Sequence, residues 1–581
     1  MVCLLFASLV LATRLPYAPG QFFTFDDVNL AYAAGHFDVR ISQPQPPGYP
    51  LFVLEMRLLY LLHIRRPETI LFTLALAGSI AVLCILLRFG RHAFGGLTGF
   101  FAAALLVFHP VFWHAGITSA LRVQLALVSL LAASACWRAW NGETRWVLWS
   151  ALALGLCAGI RPEIGPVLFP LWAVSALRAP VSWQYRARAL AAMAAAVLVW
   201  LIPTMWASGG PIEYSKACLG YLGDQASETS VLFGAIPNQG QETFWRLLAW
   251  TCCGMLSWTF PAALAWRRKD GWGIGRDRLA FLALWALPAF VFSLFVHVQD
   301  PGHALAMAPP IALFGGYLFD RALNHLHAQV SRWQTPILIA AALAIGWQIE
   351  FRNYADVVVR VPLIALAAGL LLRFDALPNA GHLPGTAAML FLLIPVALVN
   401  YDMFQFEGWY YKGASTAGLP AAWEAALGDL NSGLALTSIG HIRNTLAVDD
   451  HSLRAAIRLA ADRPGATTLI WEHGLVTWRK AAYYVRGVPV VVLEHQTLRA
   501  GSKPVIAIWN GPTLTHRAQG PAPLRTTVAA GSRIVWLLNP RTEFYKLVSQ
   551  SFPLTAAGPV YFTDLPSSSS SQVLGEYEVA W

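Results

Sequence analysis

Apolar runs of near-bilayer length recur from Ile70 to Val399, separated by short polar turns. An α-helix rises about 1.5 Å per residue, so about 20 apolar residues cross the hydrocarbon core. The runs read as spans are Ile70–Leu87, Gly96–Trp113, Val123–Trp140, Trp146–Ile160, Ile164–Leu177, Leu190–Ala207, Leu247–Trp266, Leu279–Val298, Ala304–Leu323, Pro336–Ile349, Val361–Leu372 and Thr386–Val399. Val2–Ala12 is read as one more, giving about thirteen. Its small-residue ending also suits a cleaved signal peptide, but it lacks that signal's basic n-region. Tyr49–Leu62 is apolar but holds Glu55 and Arg57, and Arg65-Arg66 follow, so it is read as an amphipathic helix at the outer interface.

After Asn400 the pattern changes. Short β-rich runs, Leu434–Thr437, Thr468–Trp471, Val488–Leu493, Val505–Trp509 and Ile534–Leu538, alternate with helical stretches at Ala421–Leu430, Ser452–Ala461 and Val476–Val485. That alternation predicts an α/β domain. Ser567–Ser571 reads as a flexible linker before a last strand-like run, Leu574–Trp581. The chain therefore divides into a polytopic α-helical membrane module, residues 1–402 with a first outer loop at 14–69, and a soluble α/β domain, residues 403–581. The tail has no Gly-rich phosphate loop and no Ser/His/Asp signature.

Composition supports the membrane reading. The chain is 56% hydrophobic and 12% charged, about half the charged share of ordinary globular domains, with a mean hydropathy of +0.51. The net charge of +10 does not point to nucleic acid, because the arginines lie in alternate short loops and form no single stripe. One set of loops holds Arg88 and Arg91; Arg138 and Arg145; Arg178, Arg186 and Arg188; Arg267, Arg268, Lys269, Arg276 and Arg278; and Arg321 and Arg332. Positive loops face the cytoplasm, which puts the first loop, the turn at His114–Leu121, the stretch Ser208–Phe244 and the soluble domain outside. None of the seven cysteines lies in the tail, and none has metal-ligand spacing.

The outer loops hold the candidate chemistry. Asp26-Asp27 is an adjacent acidic pair at a membrane boundary, followed by Pro46-Pro47-Gly48-Tyr49-Pro50. A carboxylate in a partly dry pocket can take a proton from an attacking hydroxyl; the plainer reading is a helix cap ahead of Val28–Ala34. Arg122 offers paired donors to phosphate oxygens, or else snorkels at a helix end. Arg161-Pro162-Glu163 interrupts an apolar block, where charges need partners or a cavity. Asp300 and His303 lie in the loop His297–His303; a lone histidine there also suits a structural role. The stretch Ser208–Phe244, with Tyr214, Lys216, Tyr221 and Asp224, is long enough to cover a site but carries no recognisable motif.

The acidic pair and the Pro-Pro motif resemble the GT-C class of membrane glycosyltransferases. The run Pro46–Phe52 looks most like its DUF2723-like branch, related to protein O-mannosyltransferases and lipid A aminoarabinose transferases; motif detail covers about residues 1–180. The resemblance implies a GT-C fold, a bacterial plasma-membrane location, a polyprenyl-phosphate sugar donor, and a protein, glycan or lipid acceptor modified on the outer side by inverting transfer. It assigns the base to Asp26, with Asp27. Arg122 and Arg161 are candidates for the donor phosphate by the chemistry of fixed guanidinium charge, and Tyr49, Glu163, Asp300 and His303 are further candidates. Many members carry another acid after the third helix. Here His114–Arg122 has none, so no cofactor is expected and a divalent metal is disfavoured. A transporter or lipid flippase is the rival from another class, and an inactive glycolipid-binding relative is a third reading.

Overall fold

The computed structural model describes residues 1–233, 239–266, 271–296, 298, 300–328, 385–405, 421–472, 478–485, 487–496, 505–510, 513–518 and 523–581. Among the described residues four helices are long and apolar enough to cross a membrane: α4 (Pro67–Phe94), α7 (Ala120–Trp140), α10 (Trp183–Ala207) and α14 (Arg276–Phe295). Of these α7 is the most enclosed: 83% of its apolar window is buried, against 28% for α10 and for α14. Arg122, near the start of α7, thus stands on the central helix of the bundle.

Several expected spans are broken. Gly96–Trp113 is divided between α5 (Thr98–Val107) and α6 (Pro110–Thr118), which meet at 60°. Pro110 has no amide proton and disfavours helical backbone in the residue before it, so α5 cannot run on. The break frees the carbonyl of Val107, which accepts a 2.7 Å hydrogen bond from Arg14 Nη2 at the end of α1 (Val2–Arg14). The Arg14 guanidinium is fully buried and lies 5.0 Å from the Trp113 ring. A helix's carbonyl end and an aromatic face together hold this charge in the apolar core.

Helices α8 (Arg145–Ile160) and α9 (Ile164–Arg178) part at Arg161-Pro162-Glu163, as the sequence suggests. The expected span Leu247–Trp266 is replaced by α12 (Gln239–Cys252), a 3₁₀ turn and α13 (Thr259–Ala265). The expected span Ala304–Leu323 starts as a 3₁₀ turn at Pro301–Ala306 and continues as α15 (Ala308–Ala328). α16 (Gly385–Gln405) contains the expected Thr386–Val399. The expected spans Pro336–Ile349 and Val361–Leu372, with Arg267, Arg268, Lys269 and Arg332, lie outside the described residues. Helices α4 and α5 cross at a pair of glycines: a Cβ on Gly90 would lie 2.5 Å from the Gly99 Cα, so only glycine permits this approach.

The loop at residues 14–69 forms α2 (Phe25–Gly35) and α3 (Pro50–Leu61). In α3, Phe52, Val53 and Met56 are buried while Leu54, Leu58 and Leu61 are exposed. At 12 residues it is about 18 Å long, too short to span and suited to the interface. Beyond α10, helix α11 (Pro211–Thr229) lies against this loop, where Tyr214 Oη donates to the Pro47 carbonyl at 2.8 Å.

The tail begins with α17 (Ala421–Ala435) and α18 (Ile439–Ala461). Leu434–Thr437, expected as a strand, is instead the end of α17 and the turn after it; Leu434 and Ala435 are buried as part of that helix. Among the described residues a seven-stranded mixed sheet follows in the order β4-β3-β2-β1-β6-β8-β7. Its centre is parallel: β1 (Thr467–Glu472) pairs with β2 (Val490–Gln496) and β6 (Arg533–Leu537). β3 (Val505–Asn510), β4 (Thr513–Ala518), β7 (Thr555–Ala557) and β8 (Val560–Asp564) flank them antiparallel. Helix α19 (Trp478–Tyr484) lies between β1 and β2, and α20 (Glu543–Ser551) between β6 and β7. The expected final strand Leu574–Trp581 is a hairpin, with β9 (Ser571–Leu574) antiparallel to β10 (Tyr577–Ala580); β5 (Leu524–Thr527) completes this second sheet. Gly575, at φ +63°, turns the hairpin in a conformation that glycine adopts without strain.

Candidate active site

A cavity of about 330 Å³ opens among α2, α7, α9, α11 and α14, and gathers residues distant in sequence. Asp26, Tyr49, Arg122, Arg161, Glu163 and His303 all line it. Its remaining walls are largely apolar, with Leu125, Val167, Leu222 and Phe292 from the helices and Val296 just past the end of α14. Charged groups thus meet where loops converge, and hydrocarbon lines the helical sides.

The two acids of the pair play different parts. Thr24 caps α2, and its hydroxyl accepts from the Asp27 amide at 3.1 Å while Asp27 Oδ2 accepts from the Thr24 amide at 3.0 Å. This is a capping box, and it holds Asp27 buried and turned away from the cavity. Asp26, one position earlier on the same turn, lines the cavity instead. Burial pushes the Asp27 carboxyl up to about 7 against the two Thr24 hydrogen bonds. Burial also raises Asp26; Arg122 opposes that rise and Asp300 adds to it.

Arg122 joins two carboxylates. Its Nη2 is 2.6 Å from Asp300 Oδ2 and 3.5 Å from Asp26 Oδ2. Asp300 caps the 3₁₀ turn before α15, and its Oδ1 accepts from the Gly302 amide at 2.7 Å. Burial alone would raise the Asp300 carboxyl, but Arg122, His303 and the Gly302 amide hold it well below the usual carboxylate range. His303 Nδ1 lies 3.2 Å from the Asp300 carbonyl. Gly302 is needed for this packing, because a Cβ there would sit 2.4 Å from Arg122 Cγ. Asp300 does not line the cavity; it stands behind Arg122 and fixes it.

Arg161 caps the end of α8 in extended backbone and is 2% exposed. Its Nη2 pairs with the Glu163 carboxylate, and its guanidinium lies 5.1 Å from the Tyr49 ring. Arg161 Nε and Nη1 are buried without a hydrogen-bond partner. Leaving charged donors unsatisfied is costly, and an anion in the cavity would offset that cost. Tyr49 reaches this position from left-handed backbone, φ +65°, at the residue that starts α3. The strain, on the order of 1–3 kcal/mol for a non-glycine residue, marks a position fixed by its surroundings.

The long stretch Ser208–Phe244, which carries no motif, supplies Cys218, Tyr221, Leu222 and Gln225 to the wall. Their spacing, i, i+3, i+4 and i+7, is one face of α11, so helical periodicity was the available signal. Among the described residues no group of three or more His, Cys, Asp or Glu side chains is arranged to hold a metal ion.

No protein-family model matches the chain, and no curated protein matches it in sequence. Its fold does match solved structures. The crystal structure of ArnT from Cupriavidus metallidurans in the apo state aligns over 97% of this chain and 98% of that one, with a TM-score of 0.56 and 14% identity. The structure of the same enzyme bound to undecaprenyl phosphate aligns over 97% and 96%, with a TM-score of 0.55 and 14% identity. The chain therefore has the fold of these ArnT structures, in line with the resemblance carried by the acidic pair and the Pro-Pro motif.

Proposed function

We propose that the protein is an inverting glycosyltransferase that moves a sugar from a polyprenyl-phosphate carrier to an acceptor hydroxyl on the extracytoplasmic side of the plasma membrane. The observation that carries this reading is the cavity: buried guanidinium donors of Arg161 without a partner, beside Asp26 and Arg122, inside largely apolar walls. Phosphate, sugar and isoprenoid chain need those three environments together. A solved protein of the same fold binds undecaprenyl phosphate, which supports the donor class.

In the proposed step, Asp26 accepts the proton of the acceptor hydroxyl as its oxygen attacks the anomeric carbon. The bond from that carbon to the phosphate oxygen breaks, and the polyprenyl phosphate leaves with the electron pair. Arg122 and Arg161 hold the charge that grows on the departing phosphate; fixed charges in a dry site do this with little reorganisation. Attack from the face opposite the leaving group inverts the anomeric centre. The two guanidiniums supply the positive charge a metal would bring, so turnover is expected to survive a chelator. The positive-inside count supports an outer location for this loop and for the soluble domain.

Incubating purified protein in nanodiscs with polyprenyl-phosphate sugars and candidate acceptors tests the reading. Transfer with release of free polyprenyl phosphate is expected. Movement of the lipid across the bilayer without cleavage would instead identify a flippase.

A further inference from the structure

Helix α19 of the soluble domain inserts one face into the first outer loop. Arg479 is fully buried, and its Nη2 donates to the carbonyls of Ile41 at 2.8 Å and Ser42 at 3.3 Å. The same guanidinium lies 5.6 Å from the Phe25 ring and 5.9 Å from the Tyr32 ring. Lys480 is buried in an ion pair with Asp449 of α18, and its Nζ lies 5.9 Å from the Phe23 ring. Tyr483 packs edge-on against Phe22 and Tyr32, with centroids 5.0 and 5.5 Å apart. Tyr484 Oη accepts from the Phe22 amide at 2.9 Å and donates to Glu68 Oε1 at 3.0 Å.

These contacts fall on two segments that build the cavity. Phe25 immediately precedes Asp26, and Ile41-Ser42 immediately precede the run that ends in Pro46, Pro47 and Tyr49. One guanidinium therefore grips both walls that the first outer loop contributes, by ring faces on one side and carbonyls on the other. Arginine suits this bridge because its planar fork can stack and donate at once. We infer that Arg479 is a positioning residue for transfer, through which the soluble domain sets the separation between Asp26 and the Pro46–Tyr49 wall. It touches neither carrier nor acceptor. Its effect is on the alignment of the base with the acceptor hydroxyl, and the phosphate contacts of Arg122 and Arg161 do not depend on it.

The inference rests on the proposed transfer reaction, so the experiment has an arm independent of it. Arg479→Gln and Tyr484→Phe are made in the full chain and studied in nanodiscs. Hydrogen–deuterium exchange is followed in residues 22–49 and in strands β1 and β6, alongside undecaprenyl-phosphate affinity and the turnover number. The expected result for Arg479→Gln is faster exchange in 22–49 with β1 and β6 as in the parent, unchanged affinity for undecaprenyl phosphate, and turnover lowered about 10- to 100-fold, the scale of an ångström-level misalignment. Tyr484→Phe is expected to give the same split with smaller amplitude, and it decides the matter if Arg479→Gln does not fold. Exchange in 22–49 that matches the parent would overturn the inference, as would exchange that rises equally in the sheet, or a loss of carrier affinity in place of turnover. A parent that binds no undecaprenyl phosphate overturns the functional reading instead, and the exchange data then decide the role of Arg479 alone.

Discussion

Arg122 Nη2 donates to Asp300 Oδ2 at 2.6 Å, joining the start of α7 to the turn before α15 across 178 residues of sequence. The same nitrogen stands 3.5 Å from Asp26. Asp300 thereby fixes a positive charge beside the carboxylate proposed as base, before any ligand arrives. A charge held in place needs no rearrangement as negative charge develops, which is the condition for strong electrostatic stabilisation in a dry site.

Gly302 makes that arrangement possible, because a methyl group there would lie 2.4 Å from Arg122 Cγ. Gly302→Ala is expected to push the Arg122 stem aside and lower kcat/KM about 10- to 100-fold, as an ångström-scale misplacement does. Steady-state transfer assays on the variant check this, with melting in detergent to confirm that it is folded.

Arg161 Nε and Nη1 are buried without a hydrogen-bond partner, and the proposed mechanism gives them the carrier phosphate. Arg161→Gln is expected to weaken undecaprenyl-phosphate binding by about 1.5–3 kcal/mol, roughly tenfold to a hundredfold in Kd, the usual worth of hydrogen bonds to charged groups. Tyr49→Phe keeps the ring 5.1 Å from that guanidinium and is expected to bind as the parent does. Calorimetry in nanodiscs separates the two variants.

The pH dependence of kcat/KM follows from Asp26. Burial raises its carboxyl, so the basic form appears only above the ordinary aspartate range, and the rate is expected to rise with pH along a correspondingly raised acid limb. Arg122 lowers the Asp26 carboxyl, so Arg122→Gln should move that limb to higher pH as well as slowing transfer. A pH–rate profile for parent and variant measures both effects.

Much of this was legible in the sequence for physical reasons. Apolar length marked the long helices, Arg161 and Glu163 stood out because charge is costly inside an apolar block, and Arg122, Asp300 and His303 because they are polar groups at helix ends. Their convergence was not legible, since Arg122 meets Asp300 only through the packing of α7 against the turn before α15. The different parts of Asp26 and Asp27 were also hidden. Thr24-Phe25-Asp26-Asp27 fits a capping box, but the cap binds the residue three after Thr24 and leaves its neighbour free to face the cavity. The broken span at Val107–Pro110 was masked by its hydrophobicity, although Pro110 was the signal for it. Leu434–Thr437 misled because four apolar or β-branched residues look alike at a helix end and in a strand. The grip of Arg479 on Ile41 and Ser42 spans 438 and 437 residues, beyond any local pattern.

The capping role of Asp27 has its own signature in stability. Its carboxyl is raised to about 7 in the folded protein, against about 3.9 in an unfolded chain. Below the lower value both states are protonated and the group contributes no difference. Between the two values the unfolded chain binds fewer protons, so this group lowers stability as pH rises. Asp27→Asn keeps an oxygen for the Thr24 amide and cannot ionise. Its melting temperature relative to the parent is expected to be higher at about pH 7.5 than at about pH 4.5, as thermal unfolding at the two values would show.

Parallel transfer assays of Asp26→Asn and Asp27→Asn from a polyprenyl-phosphate sugar decide which acid of the pair does chemistry. Asp26→Asn is expected to lose about 10²- to 10⁴-fold in rate, the range for a general base, while Asp27→Asn transfers within a few-fold of the parent. Transfer by Asp26→Asn at the parental rate would contradict the account.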